Sequence, residues 1–173
     1  MAYMNQDKKA VIKAALDKVT KRYGIKYSLR VRNHITIVCT ITAAPIDFMG
    51  NFKATTGDLF KTISGHDPVY LPVNPYWYQD HFTGKPREII GQLIDALKAA
   101  DYYDRSDAQT DYFDVAYYFD LKIGDHNRPF KLTKPTIQQA GALIFEDALK
   151  AKLLAHGVTA DFINNKMIIQ AIG

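Results

Sequence analysis

Residues 26–42 hold two alternating runs separated by Asn33 and His34, and that pattern commits the stretch to a β-hairpin. In the first run Tyr27, Leu29 and Val31 point one way, while Ser28, Arg30 and Arg32 point the other. In the second, Ile35, Ile37, Cys39 and Ile41 share a face opposite Thr36, Val38, Thr40 and Thr42. β-Branched residues at period two are a strand signature. Whatever else folds here must cover the apolar side of this ribbon.

Three segments are candidates to do so. Ile12, Ala15, Leu16, Val19 and Tyr23 recur at helical spacing, which predicts a helix near residues 5–23, capped by Asn5 and stopped by Gly24. Ile89, Ile90, Leu93, Ile94 and Leu97 predict a second helix over about 86–100. A short helix from Pro45 through Met49, with Ile46 and Met49 inward and Gly50 ending it, is expected between them. Another is expected near Thr56–Ile63. Prolines 68, 72 and 75 bar residues 64–83 from helix and from a central strand, so this stretch reads as an aromatic-rich loop.

Residues 101–111 read as a polar turn-rich loop, and the alternation of Phe113, Val115, Tyr117, Phe119, Leu121 and Ile123 predicts a long strand over 112–123. Beyond residue 135 the pattern changes. Thr136 opens a helix carrying Leu143, Ile144 and Leu154, and Gly157 stops it. The last stretch is either a hairpin turned at Asn164 and Asn165 or a helix end plus one strand.

The order predicts an α+β fold: a mostly antiparallel sheet (hairpin 26–42 plus strand 112–123), helices on one face, and a C-terminal helical appendage. A core domain over 1–135 and an appendage over 136–173 follow. The premise beneath this layout is that the arginine-bearing hairpin and the tyrosine-rich strand share one layer, with Leu29, Ile37 and Phe119 turned inward.

Composition removes several function classes. One cysteine, Cys39, excludes an internal disulfide framework and a multi-cysteine zinc site. No apolar run approaches the roughly 20 residues of a membrane-spanning helix, and the N-terminus lacks the apolar block of a secretory leader. A cytoplasmic protein without membrane partners is expected. Neither GxGxxG nor GxxxxGK[ST] occurs, the five histidines show no zinc-binding spacing, and no cofactor is expected. The net charge of +4 is too small to declare a nucleic-acid binder.

Three stretches carry a resemblance: YSLRVRNHITIVCTITAAPIDF, VNPYWYQDHFTGK and YYDRSDAQTDYFDVAYYFDLKIG. Together they resemble small proteins of bacteriophages and other mobile elements, similar to one of the large polyvalent protein-associated domains of uncharacterised function. The resemblance spans roughly residues 8–130. It implies a role inside a host cell during infection or transfer, and it supplies no catalytic residues.

Three constellations are candidate sites. Residues 1–32 carry a net charge of +7 and residues 101–125 a net −5. Lys9, Lys13, Lys21, Arg30 and Arg32 therefore make a candidate nucleic-acid surface. The competing structural reading pairs Arg30 and Arg32 with Asp114 and Asp120 across the sheet. Tyr76, Trp77, Tyr78, His81 and Phe82 are a candidate partner-binding platform, since such rings are favoured at interfaces. They serve equally as a cap on the end of the sheet. Asp104, Asp107 and Asp111 are dense enough to hold a divalent cation for phosphodiester chemistry, or simply to build turns.

These readings converge on a non-enzymatic accessory protein that binds nucleic acid or a host protein. The alternative is a metal-dependent nuclease or phosphoesterase. Met167, Ile168, Ile169 and Ile172 end the chain as an apolar strand, from which a homodimer through the tail, or docking on its own sheet, is expected.

Overall fold

A computed structural model of the chain describes residues 2–57, 69–107, 109 and 112–134, and the backbone of 158–163 and 166–171. Helix α1 (Gln6–Tyr23) begins where expected: the Asn5 side chain accepts a hydrogen bond from the Lys8 amide at 2.8 Å. It ends at Gly24, whose φ of 66° lets its N–H reach the Thr20 carbonyl. Its inward stripe contains a polar residue, Thr20, which donates to the Leu16 carbonyl at 2.8 Å and so satisfies its own buried hydroxyl.

Strands β1 (Lys26–Arg32) and β2 (Thr36–Ala44) form the expected antiparallel hairpin, with Leu29 opposite Cys39. Asn33 and His34 both take positive φ, 53° and 56°. That geometry matches the right-handed twist of the flanking strands. β1 alternates between exposed and half-buried positions, as an edge strand does, whereas β2 is buried almost throughout.

Helix α2 spans Phe48–Thr56. The expected short helix from Pro45, ended by Gly50, is corrected here. Asp47 is the cap: its carboxylate accepts the Gly50 amide at 2.8 Å, so Gly50 opens the helix rather than closing it. A side chain at Gly50 would collide with the Asp47 carboxylate. Phe48 and Phe52 supply the buried face. Thr56 closes α2, and the rest of the helix expected near Thr56–Ile63 lies outside the described residues.

The proline-rich stretch is more regular than its composition suggests. β3 (Leu71–Val73) is an outer strand, where Pro72 costs no ladder bond that the sheet needs. One helical turn, α3 (Tyr78–His81), follows the last proline. Helix α4 (Gly84–Leu97) then buries Ile89, Ile90, Leu93, Ile94 and Leu97, as expected. It starts two residues before Pro86, which occupies the first turn, where its missing N–H is not needed.

The long strand predicted over 112–123 is only half right. β4 covers Tyr118–Ile123, while Val115, Ala116 and Tyr117 are buried in succession. The Tyr117 hydroxyl enters the core to donate to the Leu97 carbonyl at 2.9 Å, securing the end of α4. Asp104 bridges Val115 and Asp107 bridges Tyr112, an irregular ladder ahead of β4.

The main sheet has the order β1-β2-β4-β3, with β5 (Lys131–Leu132) also paired to β2. β1 with β2 and β3 with β4 are antiparallel; β4 and β5 both run parallel to β2. The α+β class therefore holds, with a mixed sheet. A parallel neighbour requires a long crossover, and the chain from α2 through α4 supplies it. Gly124 (φ 73°) allows the turn between β4 and β5, its amide donating to the Ile41 carbonyl at 2.8 Å.

Residues from α1, α2 and α4 share one core with Ile37, Cys39, Ile41, Leu121 and Ile123, and Leu29 and Phe119 pack against it. The shared-layer premise is met. In the tail, β6 (Val158–Ile163) and β7 (Lys166–Ala171) pair antiparallel, with Ile163 opposite Lys166; the turn expected at Asn164 and Asn165 lies outside the described residues. This decides between the two readings of that stretch. The helix expected from Thr136 lies outside the described residues.

Candidate interaction surface

The proline-rich stretch delivers its aromatics to two different places. Asn74 fixes the turn: its side chain accepts the Tyr76 amide at 2.9 Å and its carbonyl accepts the Trp77 amide at 3.3 Å. On the far side, Asn51 of α2 accepts the Thr83 amide at 3.0 Å and donates to the Thr83 hydroxyl at 3.1 Å. Between these clamps Phe82 is 1% exposed, against Phe52 at 5.6 Å between ring centres. His81 meets the same Phe52 ring edge-on at 5.6 Å. Half-buried Tyr78 lies over Gly91, where an added Cβ would stand 3.0 Å from its hydroxyl. Phe82 therefore belongs to the core, and Tyr78 and His81 are supports. Tyr76 (76% exposed) and Trp77 (59%) remain turned to solvent.

Those two rings have neighbours that spacing alone did not bring together. β3 pairs antiparallel to β4, with Val73 opposite Leu121, so the chain leaving β3 runs toward Phe119 and Tyr118. Tyr102 packs edge-on against Tyr117 (5.3 Å) and Phe119 (5.6 Å). Burial, then the charges of Asp104, Tyr76 and Tyr118, push the Tyr102 hydroxyl up to about 12. Tyr76 and Tyr118, from two other segments, thus lie with Asp104 within electrostatic reach of Tyr102. Tyr118 had a signal in the sequence, as an aromatic on the polar side of its strand. Tyr102 had none.

The five candidate cations are carried by two elements, α1 and β1. Lys9, Lys13 and Lys21 ride on α1, whose buried stripe meets the inner side of the sheet. Arg30 and Arg32 project from the opposite face of β1. Lys13 pairs with Asp17 at 2.7 Å. Arg32 reaches across β2 to Asp120 at 2.9 Å, as the structural reading expects. Arg30 approaches Asp125 at 3.8 Å rather than Asp114, which instead holds Arg105 at 2.7 Å. Exposed pairs of this kind contribute little to stability, but they cancel much of the field that a phosphate backbone would meet.

The aspartates expected as an alternative metal site are occupied with turns. Asp104 accepts the Ser106 amide at 3.1 Å, and Asp107 accepts the Gln109 amide at 2.9 Å. Asp111 lies outside the described residues. Among the described residues, no three His, Cys, Asp or Glu side chains are grouped so as to hold a metal ion. Cys39 is fully buried, and burial pushes its thiol up to about 12, away from the reactive thiolate.

Among the described residues, no helix is long and apolar enough to cross a membrane. The chain matches no family model, no curated protein and no solved structure. The reading of its function therefore rests on the geometry of the surface.

Proposed function

We propose that this chain is a non-enzymatic accessory protein that acts by binding another protein through the ledge formed by Tyr76 and Trp77. The observation that carries the reading is the contrast within five consecutive rings and turns. Phe82, His81 and Tyr78 are spent on anchoring, while Tyr76 and Trp77 face solvent from a turn that Asn74 fixes. Large aromatics with little freedom left to lose are effective interface anchors. The resemblance to mobile-element proteins supports a setting in the cytoplasm of a host cell.

The test is affinity capture with the full chain, comparing wild type, Trp77→Ala and Lys13→Glu/Lys21→Glu. A protein partner lost with Trp77→Ala and retained by the lysine variant supports the reading. An unchanged partner list in Trp77→Ala overturns it.

One observation favours a second reading, nucleic-acid binding. Arg32, Thr36 and Tyr118 lie in one cross-strand row, so two arginines and a tyrosine share the outer face of the sheet. Stacking on Tyr118 with phosphate contacts from Arg30 and Arg32 would give an affinity that falls steeply with salt. Fluorescence anisotropy of labelled single-stranded DNA and RNA, across a salt series, decides it.

A further inference from the structure

We infer that the outer edge of β1 receives an extended segment of a partner protein, added to the sheet as one more strand and alternating acidic with apolar residues. The inference is independent of the Tyr76–Trp77 ledge. In the order β1-β2-β4-β3, β1 ends the sheet, and no described strand pairs with its outer side. β3, at the other end, is short and carries Pro72 at its centre, whose nitrogen has no hydrogen to donate. β1 runs from Lys26 to Arg32 without proline or glycine, and each of its residues is exposed or half-buried.

The alternation of β1 dictates what such a strand would carry. On the inner side Leu29 and Val31 pack against the core yet stay half-buried, so apolar side chains beside them would continue that layer. On the outer side Lys26, Arg30 and Arg32 are all exposed, and cross-strand neighbours there favour opposite charge. Lys26 pairs with no carboxylate among the described residues. Arg30 stands 3.8 Å from Asp125 with 62% of its side chain exposed. Arg32 binds Asp120 through one nitrogen and is 49% exposed, which leaves further N–H groups to donate. Main-chain hydrogen bonds would hold the added strand, while the side chains select it. The ion pairs across β2 therefore do not remove its affinity.

A second copy does not fit. Antiparallel pairing of β1 with itself, inner side to inner side, sets Lys26 opposite Arg32 or Arg30, or Arg30 opposite itself, and like charges so placed repel. A nucleic acid offers phosphates but no main-chain groups at strand spacing.

Full-length protein titrated with a labelled, alternating valine–glutamate octapeptide tests the inference by fluorescence anisotropy. Saturable binding is expected, with none of the valine–lysine counterpart. Lys26→Glu/Arg30→Glu is expected to weaken it tenfold or more. Of two N-methylated peptides, one blocked at the valines and one at the glutamates, at least one is expected to lose tenfold or more. Failure of the octapeptide to bind overturns the inference. So does affinity that survives both N-methylations, since the contact is then charge attraction alone. Oligothymidylate binding at these cations without peptide binding also overturns it, in favour of the nucleic-acid reading. Capture that depends on Trp77 stands or falls separately from each of these results.

Discussion

Tyr27 of β1 donates its hydroxyl to a carboxylate oxygen of Asp17 on α1 at 2.6 Å, while Lys13 holds the other oxygen at 2.7 Å. This contact ties the first helix to the edge strand of the sheet. The hydrogen bond from Lys13, then that from Tyr27, holds the Asp17 carboxyl below the usual carboxylate range. Burial, followed by the same hydrogen bond, raises the Tyr27 phenol.

Because the folded-state value of Asp17 is depressed, its stabilising effect is present above the unfolded value of 3.8. It is lost as pH falls from there through the folded value. Tyr27→Phe is expected to cost about 1 kcal/mol at pH 7. Asp17→Asn is expected to flatten the acid limb of the stability profile below about pH 4. Urea titrations of the three proteins between pH 2.5 and 7 check both outcomes; an acid limb in Asp17→Asn as steep as in wild type contradicts the account.

Gly124 is constrained twice. Its φ is 73°, and an added Cβ would lie 2.8 Å from the Phe130 amide nitrogen and 3.2 Å from the Val69 carbonyl oxygen. Both are backbone atoms, so neither rotates away. Gly124→Ala is expected to destabilise by roughly 2–3 kcal/mol, seen as a fall in thermal midpoint. A change within about 0.5 kcal/mol would mean that the β4–β5 turn repacks freely.

His34 makes the opposite prediction. It occupies the second central position of the hairpin turn with φ 56° and is exposed, so its side chain costs backbone energy and contributes little packing. His34→Gly gives the Asn-Gly turn that this geometry favours and is expected to stabilise by about 0.5–1 kcal/mol. His34→Val is expected to destabilise by at least as much, since β-branched residues resist positive φ. Guanidinium denaturation of the pair orders them.

The two roles within the aromatic turn separate by stability. Phe82→Ala removes a buried ring packed on Phe52 and is expected to cost about 3–5 kcal/mol. Trp77→Ala removes an exposed ring and is expected to stay within about 0.5 kcal/mol of wild type. Chemical denaturation followed by circular dichroism distinguishes them. A large loss in Trp77→Ala would show that this ring also supports the fold.

Local elements were legible wherever neighbouring residues decide them. Asn5 and Gly24 bound α1 because capping groups act within one turn, and the alternation of β1 and β2 reads directly as exposed and buried sides. The stripe from Ile89 to Leu97 likewise names the buried face of α4. Errors arose where a distant contact overrode the pattern. The strand expected from residue 112 begins only at Tyr118, because Tyr112 and Val115 pair instead with Asp107 and Asp104, and no periodicity encodes those partners.

The sequence by itself determined the hairpin, the two long helices, and which of their side chains face inward, since these follow from steric and hydrophobic preferences spanning a few residues. Tertiary structure alone decided that β4 runs parallel to β2 and that Phe82 is buried while Trp77 is not. It also decided that Tyr76, Tyr118 and Asp104 come within electrostatic reach of Tyr102. Strand direction depends on the path of the intervening crossover, and a surface assembled from three segments exists only once the chain has closed around its core.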